Sequence, residues 1–127
     1  MKIAIIGTGN LGCSIATGLI TQNAITSLYL TRRNIENIKE FKGYSNVFLT
    51  SDNRKAVKNS DILIFAVQPA HLEGILNTIK DLFTEKHVII STITGYSVSK
   101  IENSIGIDKY VVRAMPNTAI AVSKSMT

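Results

Sequence analysis

Cysteine is almost missing from this 127-residue chain, tryptophan is missing altogether, and proline and histidine occur twice each. With Cys13 alone no disulfide can close within the chain, which suits a reducing compartment, and a cytoplasmic location is expected. Cys13 itself sits where a small packing residue is wanted. Only four tyrosines and four phenylalanines are present. That leaves no aromatic platform interleaved with basic residues, as single-strand nucleic-acid binders require. The net charge is +5, but the cations are scattered, so an anionic small molecule is expected and nucleic acid is not. No apolar run approaches the ~20 residues that span a bilayer, so no membrane partner is expected. His71 and His87 lack Cys, Asp or Glu neighbours at ligand spacing, and no metal is expected. Neither a Gly-x-Ser-x-Gly elbow nor a Gly-x-x-x-x-Gly-Lys-Ser/Thr loop is found, which removes the common hydrolase and triphosphatase readings.

What is present begins at the N-terminus. The apolar run Lys2 to Ile6 leads straight into Gly7-Thr8-Gly9-Asn10-Leu11-Gly12, and a helical pattern follows from Asn10 to about Gln22. In a strand–turn–helix, a Gly-x-Gly-x-x-Gly run has a mechanical logic. Gly7 allows the tight turn, Gly9 lets backbone approach a pyrophosphate, and Gly12 lets the helix pack against the strand. The helix start adds unpaired N–H donors and a positive dipole end. Residues 7–12 are therefore expected to bind a dinucleotide.

Strand and helix patterns alternate along the rest of the chain. Strands are expected at 27–30, 46–49, 61–67, 87–91 and 109–113, and helices at 35–41, 53–57, 69–83 and 97–104. Asn34 reads as the N-cap of the second helix and Gly43 as its terminator. The run 61–67 is nearly all apolar, as a strand buried on both faces should be. These patterns predict an α/β fold: a doubly wound parallel sheet of the Rossmann type in strand order 3-2-1-4-5-6, forming a single dinucleotide-binding domain over residues 1–127.

The tip of the second strand selects the coenzyme. An NAD site would carry an acid there for the ribose hydroxyls. This chain has Thr31-Arg32-Arg33, and its first acid, Glu36, falls within the next helix. Two guanidiniums beside a hydroxyl would clamp a 2′-phosphate, so NADP(H) is expected over NAD(H). Asn53 either reaches the adenosine end or caps the short helix, and Arg54 adds positive potential at that corner. Ala66-Val67-Gln68-Pro69 follows the fourth strand, where the strand order reverses and a crevice should open; Thr92 and Thr94 follow the fifth. His71 is expected on the surface just beyond the crevice.

Arg113-Ala114-Met115-Pro116-Asn117-Thr118 resembles the Arg-x-Met-Pro-Asn-Thr stretch of the pyrroline-5-carboxylate reductases. Ile6–Gly12 resembles that family's opening turn, and Phe65-Ala66-Val67-Gln68-Pro69 resembles its Ala-Val-Lys-Pro segment. Asn53 falls where the family has an adenosine-side asparagine. The resemblance covers the whole chain. It implies an NADPH-dependent reduction of the imine 1-pyrroline-5-carboxylate to L-proline, with Met115, Pro116, Asn117 and Thr118 on the substrate side. It also implies a helical C-terminal domain, the seat of dimerisation and of most of the substrate pocket. That domain would begin near Thr127. The chain is accordingly expected to be a truncated cofactor-binding domain, inactive or nearly so alone, whose homo-oligomer forms through the missing part. Gln68, Ile93-Thr94 and Ala119 depart from the family pattern. Two alternatives stay open: a related NADP- or deazaflavin-dependent oxidoreductase domain, and a non-catalytic relative that senses NADPH. No catalytic residue is nominated.

Overall fold

The computed structural model describes residues 1–22, 25–84 and 86–92, together with the backbone of the strand at 110–113. The strands are β1 (Lys2–Ile6), β2 (Ser27–Thr31), β3 (Val47–Thr50), β4 (Ile62–Phe65), β5 (Val88–Ser91) and β6 (Tyr110–Arg113). All pair in parallel, in the order β3-β2-β1-β4-β5-β6. This is the expected doubly wound sheet. The helices expected at 97–104 and the residues beyond Arg113 lie outside the described residues.

Alternation along β1 explains the two-sided core, because successive side chains point to opposite faces. Ala4 and Ile6 face one side, where they meet α2 (Asn53–Lys58) and α3 (Pro69–Ile79) through Ala56, Val57, Leu72, Leu76 and Ile79. Ile3 and Ile5 face the other. There they meet Ile15, Ala16 and Leu19 of α1 (Asn10–Gln22) and Ile38 and Phe41 of a 3₁₀ helix (Ile35–Phe41). A sheet covered on both faces leaves its strand ends as the accessible edge.

Some boundaries differ from the sequence expectation, each for a local reason. β4 ends at Phe65, so Ala66 and Val67 leave the sheet and become cleft wall. The second helix is 3₁₀, with Ile38 non-helical at φ −125° while its side chain is fully buried. Asn34 does cap it, accepting from the Glu36 N–H. Gly43 does not end it in a left-handed turn. Gly7 is the one described glycine with positive φ, and the helix closes instead through Lys42 N–H to the Lys39 carbonyl. His87 lies outside β5; its Nδ1 accepts from the Thr84 N–H at 3.0 Å and turns the chain into the strand.

Candidate functional site

The turn after β1 is built by hydrogen bonds from a distant segment. Gly7 has φ +80°, the left-handed region, and a Cβ there would run into the Val67 side chain. Gly7 N–H donates to Thr31 Oγ1 at 3.1 Å, and Thr8 N–H donates to the Thr31 carbonyl at 2.7 Å. The Thr31 hydroxyl in turn reaches the Ile5 carbonyl. Arg32 Nη1 then donates to the Thr8 carbonyl at 2.9 Å, so the β2 tip grips the turn from both sides. From this base Cys13 N–H closes the first turn of α1 on the Gly9 carbonyl. The N–H groups ahead of it have no partner within the helix.

Gly12 and Gly9 differ in what surrounds them. A Cβ on Gly12 would lie 3.3 Å from both Ile5 Cγ2 and Thr8 Cγ2, so α1 sits close on the sheet. A Cβ on Gly9 would meet nothing within 4 Å. That open side faces a cleft of about 1020 Å³ between the β1 and β4 ends, at the upper end of the usual range for ligand sites.

Gly7, Thr8, Gly9, Thr31, Arg32, Arg33, Asn53, Ala66, Val67 and Gln68 all line this cleft. Asn10, Leu11, Gly12, Pro69 and Thr92 do not. Asn10, Leu11 and Gly12 supply the helix start, and Pro69 opens α3 at its first position. Thr92 is buried, its hydroxyl donating to the Phe65 carbonyl at 2.9 Å, so it ties β5 to β4. Thr94 and Met115, Pro116, Asn117 and Thr118 lie outside the described residues.

Two expectations need correction, and one open alternative closes. Thr31 is buried, and its hydroxyl is occupied by the turn. Arg54 does not face the cleft: its guanidinium makes a forked pair with the Asp81 carboxylate at 2.8 and 3.0 Å and also bonds the Thr78 carbonyl. It thereby lowers the Asp81 pKa, and its own is raised. Asn53 is not the cap of α2. Asp52 takes that role, accepting from the Arg54 and Lys55 N–H groups, and Asn53 is left to the cleft.

Sequence reasoning missed Asn34, Asn37, Ser51, Ala70, Gly74 and Ile75, and it set His71, which is exposed on the cleft wall, on the surface beyond the crevice. Ser51 follows β3 directly, as Arg32 follows β2. Position after a strand was the signal available for it.

The described lining holds two cations, Arg32 and Arg33, and no carboxylate. Cys13 lies behind the turn and does not line the cleft; burial raises its thiol pKa, Glu40 raises it further, and Arg32 opposes them. Among the described residues no three His, Cys, Asp or Glu side chains gather to hold a metal, and no helix is long and apolar enough to cross a membrane.

The chain is similar to two pyrroline-5-carboxylate reductases of Dictyostelium discoideum. Identity is 44% over 99% of this chain and 44% of one relative, and 42% over 98% of this chain and 23% of the other. A pyrroline-5-carboxylate reductase structure from Coxiella burnetii superposes with a TM-score of 0.84 at 33% identity, over 91% of this chain and 44% of that one. The Plasmodium falciparum pyrroline carboxylate reductase with NADP bound gives 0.80 at 27% identity, over 93% and 43%. The chain thus spans less than half the length of these relatives. The family model described as NADP oxidoreductase, coenzyme F420-dependent, matches residues 2–95, and the chain belongs to that family.

Proposed function

We propose that this chain is the coenzyme-binding part of an NADPH-dependent reductase that converts 1-pyrroline-5-carboxylate to L-proline. The observation that carries the reading is the cleft itself: a glycine turn with open space at Gly9, two arginines and no acid in the described lining. These residues fit a dinucleotide with an extra phosphate. The bare Gly9 backbone and the start of α1 suit the pyrophosphate. Guanidinium at the β2 tip suits a 2′-phosphate, where a carboxylate would repel it. Similarity to pyrroline-5-carboxylate reductases over nearly the whole chain supports the substrate.

When bound, the coenzyme supplies a hydride. The chain's own residues orient it and keep water away. Ala66, Val67 and Gln68 line the wall after β4, where the reducing end would lie; Gly7 and Thr8 shape the turn, and the open side of Gly9 with the start of α1 would hold the phosphates. Thr94 would border the same end, with Thr92 tying β5 to β4 behind it, and Met115, Pro116, Asn117 and Thr118 would border the substrate. The remaining length seen in the relatives would complete the substrate pocket and a homo-oligomer, in the cytoplasm.

Calorimetric titration of the 127-residue chain tests the coenzyme. NADPH should bind at least about tenfold more tightly than NADH, the worth of one charge-assisted contact. Equal affinities would defeat the reading. Turnover of pyrroline-5-carboxylate by the complete protein tests the substrate. A folded, NADPH-loaded protein without turnover would point to a sensor instead.

A further inference from the structure

Arg32 and Arg33 are adjacent in sequence, but their surroundings separate them. Arg32 is half-buried, and its Nη1 is held by the Thr8 carbonyl at 2.9 Å; its own N–H donates to the Thr50 carbonyl at 3.2 Å. Arg33 is exposed, lines the cleft, and makes no hydrogen bond or ion pair with any described residue. A guanidinium carries five N–H donors, but the bond to the Thr8 carbonyl fixes the position and plane of the Arg32 head at the turn, whereas Arg33, without a partner among the described residues, turns toward a ligand with no such bond to give up.

We infer that Arg32 is a positioning residue that braces the glycine turn, while Arg33 alone reads the phosphate that distinguishes NADPH from NADH. The inference rests on the NADPH reading above and divides a task that the sequence assigned to both arginines. Thr8 is central to the brace. Its N–H is bound by the Thr31 carbonyl and its carbonyl by the Arg32 side chain. Its neighbour Gly7 is held by the Thr31 hydroxyl. One peptide segment is therefore pinned at three points from residues 31–32. That pinned segment leads directly into α1, so the direction of the unpaired N–H groups at the helix start, which any dinucleotide needs whichever ribose it carries, depends on the pinning. Loss of Arg32 should then weaken both coenzymes together, and loss of Arg33 should weaken only one.

The experiment compares Arg32→Met and Arg33→Met in the 127-residue chain, methionine keeping most of the apolar stem. NADPH and NADH affinities are measured by calorimetry, and amide hydrogen exchange is followed at Gly7, Thr8 and Gly9. Arg32→Met should raise both dissociation constants by a common factor of about five to ten, the loss of one hydrogen bond, and should speed exchange at the turn. Arg33→Met should raise the NADPH constant about tenfold or more, leave NADH within about twofold, and leave the turn's exchange unchanged. A selective loss of NADPH in Arg32→Met, with turn exchange as in the parent chain, would overturn the division. Should Arg32→Met fail to fold, Arg32→Lys decides through the ratio of the two affinities: an unchanged ratio supports the brace, a reduced one refutes it. If the parent chain binds NADPH no better than NADH, the functional reading fails. The exchange comparison still judges the brace by itself.

Discussion

Replacing Gly7 by alanine should be the most damaging single-methyl change in the glycine turn, and its cost can be worked from two separate sources. At φ +80° an L-residue is strained, which costs about 1–2 kcal/mol. The added Cβ would also lie 3.1 Å from Val67 Cβ and 3.2 Å from Val67 Cα, and closer still to Val67 Cγ1. Overpacking of that kind costs about 1–3 kcal/mol. Together they amount to about 2–5 kcal/mol, a large share of the stability of a typical domain. The two sources can be told apart because only the second involves Val67. Urea denaturation of Gly7→Ala, Val67→Ala and the double variant forms a cycle. Trimming Val67 removes Cγ1 from the clash but leaves the backbone strain, so a coupling of about 1–2 kcal/mol should appear, with a similar cost left over. Strict additivity, or a Gly7→Ala variant as stable as the parent, would refute the reasoning. The consequence reaches function because Val67 follows β4. The contact joins the β1 and β4 turns, and forcing them apart would change the cleft between them.

Gly9→Ala should be the opposite case: nothing lies within 4 Å of the new methyl, so the midpoint of unfolding should hold while NADPH affinity falls at least about tenfold, because the methyl enters the space proposed for phosphate. Gly74→Ala, in the interior of α3 with open space around its Cβ, should raise stability by about 0.5–1 kcal/mol in chemical denaturation. Asp52→Ala removes the acceptor for the Arg54 and Lys55 N–H groups at the start of α2 and should cost about 1 kcal/mol by the same assay. The Asp81 carboxyl is held below its ordinary pKa by the hydrogen-bonded Arg54 guanidinium. A depressed folded pKa means the stabilisation is present above the unfolded carboxyl's pKa and is lost as pH falls through the folded one. The pair is solvent-exposed, so any difference between the parent and Asp81→Asn should be small near neutral pH and vanish in acid or at high salt.

The parts of this molecule that were legible from sequence are those whose cause is local. The β1–turn–α1 unit could be placed residue by residue because the apolar alternation, the glycine spacing and the helical period all lie within one stretch. Strand order followed from the alternation of patterns. What could not be read was the destination of side chains whose partners are far away in sequence. Thr31 and Arg32 reach back 24 residues to the glycine turn, and Arg54 reaches forward 27 residues to Asp81. Composition at the β2 tip announced positive charge at the cleft; it could not say that one of the two guanidiniums was already held by a carbonyl. The same limit explains Asn53 and Asp52, neighbours either of which could cap α2, and it explains Gly43, a glycine that ends a helix in name only. Topology supplies what propensity cannot. In a parallel sheet every strand delivers its next few residues to one edge, so Ser51 after β3 and Gln68 after β4 reach the cleft by position alone. Chemistry at such an edge should be read from all the strand tips together, and each polar side chain should first be tested for a backbone partner in the neighbouring turn. Applied to the Arg32–Arg33 pair, that test separates one guanidinium held by the glycine turn from one that has no partner among the described residues.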